Sequence, residues 1–208
     1  MGKEAFRGIV SHYEACFEEF GDSHLGVDWP NKADAETRYR VMLEVIREKT
    51  GRVTLLDFGC GLSHLYEYIL KIDMNDVEYA GLDVSEKFVQ ASKTKFPKNT
   101  YYCVDILQEA DSIPNFDYVV MNEIFTEKRD LSFDEMFSYF KRVVRKMFEK
   151  ANRGIAFNVM SKHVDWERAD LFHVPFDIMA AFLTRELTRK FVIRNDYGLY
   201  EYTTYVYK

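Results

Sequence analysis

Phe6, Ile9, Val10, Tyr13, Phe17 and Phe20 recur at steps of three and four, one face of a helix that Gly21 ends. After a polar link containing Pro30, Tyr39, Met42, Leu43 and Ile46 mark a second helix running to Gly51. The pattern then changes to Val53–Phe58, a nearly unbroken apolar run between glycines, as in a strand buried on both faces. Further strands are predicted at 77–82, 100–104, 116–121, 154–160, 191–195 and 201–207, and helices at 62–72, 86–96 and 175–190. Ser132-Phe-Asp-Glu135 reads as a capping box. It opens a long helix with Phe133, Met136, Phe137, Phe140, Val143, Val144, Met147 and Phe148 inward and basic residues on the other face.

Strands alternating with helices predict an α/β fold with a mostly parallel sheet. The last two strands, joined by a short link at Gly198, read as an antiparallel hairpin. A length of 208 residues predicts one domain over 1–208, with a helical cap at 1–50 and an α/β core at 51–208. Apolar residues make up 47% of the chain and charged residues 30%, which excludes a disordered or low-complexity protein. No apolar run approaches the roughly 18 residues of a membrane span, and no signal core opens the chain, so no membrane insertion is expected. The net charge of −6 disfavours a nucleic-acid partner. The three cysteines, Cys16, Cys60 and Cys103, are too far apart for a disulfide framework or a metal knuckle, which predicts reduced thiols in a cytoplasmic protein and no metal.

In such sheets a ligand sits beyond the carboxyl ends of the strands, at the switch point. Those ends read Gly59-Cys60-Gly61, Asp83, Asp105, Asn122-Glu123 and Ser161-Lys162-His163. Small residues after the first strand let a ligand approach the backbone. A carboxylate ending the second strand, Asp83, is placed to accept from a ribose diol, and Asp105 is placed for an adenine amine. A dinucleotide fingerprint would need glycine where His64 stands, which disfavours a nicotinamide cofactor.

LLDFGCGLSHL, GLDVSEKFVQAS, YYCVDI and FDYVVMNEIF, in that order and spacing, resemble the successive motifs of class I S-adenosylmethionine-dependent methyltransferases. The resemblance covers Val53 to Met160, and Ser63 stands where that family has its third glycine. It implies a Rossmann-like, seven-stranded, mostly parallel sheet with helices on both faces, a C-terminal antiparallel hairpin and an N-terminal helical cap. It implies S-adenosyl-L-methionine as cofactor and S-adenosyl-L-homocysteine as product. Asp57, Gly59, Cys60, Gly61 and His64 then surround the methionine part, Asp83 and Val84 the ribose, Asp105 and Ile106 the adenine, with Asn122 beyond. Cys60 is expected to pack rather than do redox chemistry. HLGVDWPN, FNVMSKHVDWE and DYGLYEYTTYVYK resemble small methyltransferases of bacterial capsule and O-antigen biosynthesis. That implies a small acceptor: a sugar, a nucleotide-linked sugar or a phosphate- or phosphoramidate-type group.

An acceptor hydroxyl needs a base, whereas an anionic oxygen or free amine needs chiefly positioning. His163, Glu123 and Glu127 are the candidate bases. Lys128, Arg129, Lys162, His173 and Tyr197 are candidate acceptor contacts, and Tyr13, His24, Trp29 and Arg38 candidate cap contacts to the cofactor. Competing readings are a nucleic-acid or protein methyltransferase and a non-catalytic adenosyl-binding module. MNEIF lacks the Asp/Asn-Pro-Pro-Tyr/Phe type of segment that an amino-methylating DNA enzyme carries after the fourth strand. The protein is expected to be a monomer or homodimer.

Overall fold

A computed structural model describes residues 3–27, 31–47 and 51–208, with the side chains of 3–7 excepted. The elements run α1 (Lys3–Phe20), α2 (Lys32–Leu43), β1 (Val53–Phe58), α3 (His64–Lys71), β2 (Val77–Asp83), α4 (Glu86–Lys95) and β3 (Thr100–Cys103). They continue with β4 (Phe116–Phe125), α5 (Phe133–Lys150), β5 (Ala151–Ser161), β6 (His173–Val174), α6 (Phe176–Glu186), β7 (Phe191–Arg194) and β8 (Glu201–Tyr207).

Seven strands lie in the order β3-β2-β1-β4-β5-β8-β7, and the two-residue β6 adds an eighth beside the end of β5. The first five of the chain are parallel, while β8 runs antiparallel to both β5 and β7. The strand order therefore reverses at β1, between β2 and β4, and that switch point opens a crevice at their carboxyl ends.

Strand alternation divides the core between two faces. Leu56, Val119 and Ile155 pack with Met136, Phe140 and Val144 of α5 and Phe182 of α6. Leu55, Val120 and Ala156 pack with Val41 and Met42 of α2 and Leu65 and Ile69 of α3. The expected cap thus divides. Val41 and Met42 are fully buried, so α2 is a core helix rather than a lid. α1 overlies the crevice with Ile9, Val10 and Tyr13, tied to α4 by Phe17 against Phe88 and by Ser85 Oγ donating to Glu14 at 2.6 Å. The capping box forms as predicted: Ser132 Oγ accepts from Glu135 N, and the Glu135 carboxylate accepts from Ser132 N. β6 escaped prediction because two residues carry no alternation.

Among the described residues no helix is long and apolar enough to cross a membrane.

Candidate active site

The crevice at the switch point encloses about 1120 Å³, counting its open mouth. Its floor is the turn after β1. Gly59 has φ +76, and a Cβ there would collide with Cδ1 of Ile124. The backbone amides of Gly59 and Cys60 both donate to Leu82 O, at 2.7 and 3.0 Å, locking the turn to β2. Ser63, in place of a third glycine, takes the left-handed conformation at φ +58. Its cost is offset by a hydroxyl chain. Ser92 Oγ donates to Gly61 O at 2.8 Å, and Ser63 Oγ lies 2.9 Å from Ser92 Oγ and 3.1 Å from the Tyr101 hydroxyl. Burial pushes the Cys60 thiol up, so it stays protonated and packs.

Asp83 ends β2 on the wall of the crevice. Gly61 N donates to one of its oxygens at 3.0 Å and Ser85 N to the other at 2.9 Å. Burial raises its pKa, and those backbone donors oppose the rise. Each oxygen keeps acceptor capacity for a further donor. Asp57, beneath the turn, is pushed up to about 7 by burial, although the Tyr79 hydroxyl donates to it at 2.8 Å. At the end of β4, Asn122 is buried and its Oδ1 has no protein partner.

The next residue, Glu123, sits in a β-bulge. The register of β4 against β5 shifts between Met121 and Phe125, and Glu123 has φ +61, rare for a side-chain-bearing residue. The bulge brings Glu123, Ile124 and Glu127 into the wall of the crevice. Glu123 Oε1 accepts from Asn158 Nδ2 at 2.6 Å and pairs with Arg38 Nε at 3.0 Å. Burial, then the neighbouring Glu201 carboxylate, raise its pKa.

Tyr13, Asp57, Gly59, Cys60, Gly61, His64, Asp83, Val84, Asn122, Glu123 and Glu127 all line the crevice, so eleven of the predicted site residues come together. His64 Nε2 lies 2.9 Å from Asp22 Oδ1. The lining also includes Tyr39 and Tyr139, which the sequence pattern presents only as helix residues.

Other predicted residues lie elsewhere. Asp105 binds its own turn, accepting from Leu107 N at 3.0 Å and from the Gln108 amide, and Ile106 is buried in the core. Arg38 is engaged by Glu123 and Glu201 and does not line the crevice. His163 is exposed and stacks on Phe176 at 4.8 Å. Lys128 Nζ donates to Leu131 O, Arg129 pairs with Glu127, and Lys162 pairs with Glu167. His173 is buried in β6 with Nδ1 2.7 Å from Ser161 O, and the Tyr197 hydroxyl lies 3.0 Å from Thr203 Oγ1. His24 borders a neighbouring depression with Asp22 and Lys71. Trp29 lies outside the described residues.

Residues 56–147 match the family model described as a methyltransferase domain. Over 154 residues the chain is 26% identical to Rv1506c of Mycobacterium tuberculosis strain H37Rv, a protein named as a candidate methyltransferase. That match spans 73% of this chain and 91% of the relative. The fold is shared with magnesium protoporphyrin IX methyltransferase (ChlM) of Synechocystis PCC 6803, solved with bound S-adenosylmethionine. The TM-score is 0.66 at 14% identity, covering 100% of this chain and 99% of that one. It is also shared with the plantazolicin methyltransferase BpumL, solved with a desmethyl-plantazolicin analogue and S-adenosylhomocysteine. There the TM-score is 0.60 at 13% identity, covering 99% of each chain.

Proposed function

We propose that this S-adenosylmethionine-dependent methyltransferase methylates a small-molecule acceptor, at an oxygen of a sugar or nucleotide-linked precursor in surface-polysaccharide (capsule) biosynthesis. The observation that carries the reading is the crevice at the switch point, which joins a glycine turn, the Asp83 carboxylate and the unpartnered Asn122 Oδ1. These groups fit the cofactor. Asp83 has acceptor capacity for a ribose diol, Gly59 leaves room at the turn, and Asn122 Oδ1 awaits a donor. Four carboxyl groups, Asp57, Asp83, Glu123 and Glu127, line a crevice suited to a ligand bearing sulfonium and ammonium charges. When bound, the cofactor supplies an electrophilic methyl group, and its carbon–sulfur bond electrons leave on sulfur.

In this reading Asp57, Gly59, Cys60, Gly61 and His64 surround the methionine part, and Asp83 and Val84 hold the ribose. Asp105 and Ile106 belong to the adenine end, with Tyr13 closing the crevice from α1. Glu123 and Glu127 face the acceptor. A phosphate- or phosphoramidate-type acceptor is less well served. No Lys or Arg is among the described residues lining the crevice; Lys128 and Lys162 are engaged outside it, and Arg129 is paired with Glu127. The same anionic lining opposes a nucleic-acid partner. The sugar and capsule assignment rests on the sequence resemblance. We place the reaction in the cytoplasm, with a monomer or homodimer as the working unit.

The test is cofactor-dependent methylation of a panel of nucleotide sugars and glycan precursors, read by mass spectrometry. A mass gain of one methyl group on a sugar oxygen is expected. Calorimetry that finds no S-adenosylhomocysteine binding overturns the cofactor site, and transfer confined to proteins or nucleic acids overturns the acceptor class.

A further inference from the structure

Four polar side chains from four elements meet beside the crevice. Arg38 of α2 places Nε and Nη2 each 2.8 Å from Glu201 Oε2 of β8, and Nε 3.0 Å from Glu123 Oε1 of β4. Asn158 of β5 donates both amide hydrogens, one to Glu123 Oε1 at 2.6 Å and one to Glu201 Oε1 at 2.8 Å. Its Oδ1 accepts from the backbone N–H of Glu123 at 2.8 Å, so the amide's orientation is fixed by three bonds. Glu201 is 1% exposed and Asn158 is fully buried. Of the four, only Glu123 lines the crevice.

The charges in this cluster do not cancel. One guanidinium faces two carboxyl groups, and its shorter contacts go to Glu201. Among the described residues, the other titratable groups around the cluster add no cation. Asp34 and Tyr39 approach from α2, Asp57 from β1 and Tyr197 from the segment before β8. Glu123 is therefore the carboxyl whose ionised form lacks a full counter-charge, in a buried site, on a backbone bent into the left-handed region.

We propose that Glu123 takes the proton of an uncharged hydroxyl or amine acceptor, and that Glu201 is a positioning residue that, with Arg38 and Asn158, sets the charge Glu123 carries. This rests on the methyltransferase reading above. As the acceptor atom bonds to the methyl carbon and the carbon–sulfur electron pair leaves on sulfur, the acceptor's O–H or N–H proton passes to a Glu123 carboxyl oxygen. The methyl group goes to the acceptor, the proton to Glu123, the O–H or N–H bonding pair stays on the acceptor and the carbon–sulfur pair on sulfur, so no further reactant is needed. The acceptor class follows from the same charge count. A phosphate or carboxylate acceptor has no proton to give, and among the described lining residues it would meet carboxyl groups with no lysine or arginine. The upward shift of the Glu123 pKa by burial and by Glu201 supports the role, because a base that titrates near the working pH is effective. Binding of a positively charged cofactor would favour the ionised, proton-accepting form.

The experiment uses the full chain without acceptor. Infrared difference spectroscopy across a pH titration follows protonated carboxyl bands in wild type, E123Q, E201Q and R38Q. A band titrating above the ordinary glutamate range is expected in wild type and absent in E123Q, with the Asp57 band remaining in both. E201Q should move the Glu123 titration to lower pH by about one unit or more, and R38Q should move it upward. These opposite signs would not arise from general loosening, and either variant alone suffices if the other fails to fold. An unmoved Glu123 titration in the folded variants overturns the proposal, as does faster transfer to phosphate or carboxylate acceptors than to hydroxyl or amine acceptors. S-adenosylhomocysteine calorimetry runs in parallel. Its failure in wild type rejects the cofactor reading, whereas unmoved titrations with intact binding reject only the proton assignment.

Discussion

The crevice has two walls built by different means. On the β2 side, backbone amides and neutral hydroxyls do the holding: Gly61 N and Ser85 N grip Asp83, and Ser63, Ser92 and Tyr101 brace the glycine turn. On the β5 side, ionic side chains hold one another: Arg38 between Glu123 and Glu201, with Asn158 bridging the two carboxyls. Main-chain donors are fixed in number and direction by the fold. Charged side chains can change protonation, and a ligand can shift their balance. The first wall suits binding of one invariant molecule, and the second suits a step in which a proton changes place.

If the walls divide the work this way, their substitutions separate binding from turnover. The largest effect is expected at Glu123. Glu123→Gln should slow turnover by about 10²–10⁴-fold, the usual contribution of a general base, with S-adenosylhomocysteine affinity little changed. Equal losses in rate and in calorimetric affinity would erase the distinction. Gly59→Ala acts on the opposite wall. Backbone strain at φ +76 costs about 1–3 kcal/mol, and the collision with Ile124 adds to it. A lowered melting temperature together with lost cofactor binding is expected. Asp83→Ala should weaken S-adenosylhomocysteine binding by about 1–3 kcal/mol in the same assay, and unchanged affinity would reject the ribose role.

Asp57 lies where the walls meet, and pH tests it. Its folded pKa of about 7 exceeds the unfolded value, so the folded protein holds an extra proton between the two. The stability this contributes is full below about pH 4 and is lost as pH rises through about 7, at about 1.4 kcal/mol per pH unit in the middle of that window. Denaturant titrations of Asp57→Asn against wild type should show this slope removed. The smallest effect is expected at Ser63→Gly. Relief of the left-handed strain and loss of the hydroxyl bonds nearly cancel, for a net change within about 1 kcal/mol by thermal melting.

The same contrast explains what could be read from the chain. The β2-side wall is written within Val53–Asp105 as buried strands ended by small or acidic residues. The nearly unbroken apolar run of β1, the strand that follows it and the position of each strand end locate Gly59, Gly61 and Asp83 without tertiary knowledge. The β5-side wall joins residues 35, 43 and 163 positions apart. Asn158 is hidden in an apolar strand and Glu201 begins a tyrosine-rich one, so neither shows a local signal. Arg38 was expected as a cap contact to the cofactor, not as the partner of two glutamates. β4 was expected to stop at Met121 because its apolar run ends there. The bulge carries it to Phe125 and turns Glu123 toward the crevice, a change that periodicity does not encode. Lys128, Lys162 and His163 follow strand ends as expected, yet nearby carbonyl, carboxylate and ring partners hold them outside the crevice.

The four carboxyl groups of the crevice bear on how the enzyme finishes a cycle as well as how it begins one. In their ionised forms they would attract a bound sulfonium, and methyl transfer would remove that charge, leaving a neutral thioether in the same place. On the proposed reading the grip would be weaker on spent cofactor than on fresh, which would favour exchange of one for the other. Because the difference is coulombic and the crevice is open at its mouth, added salt should narrow it.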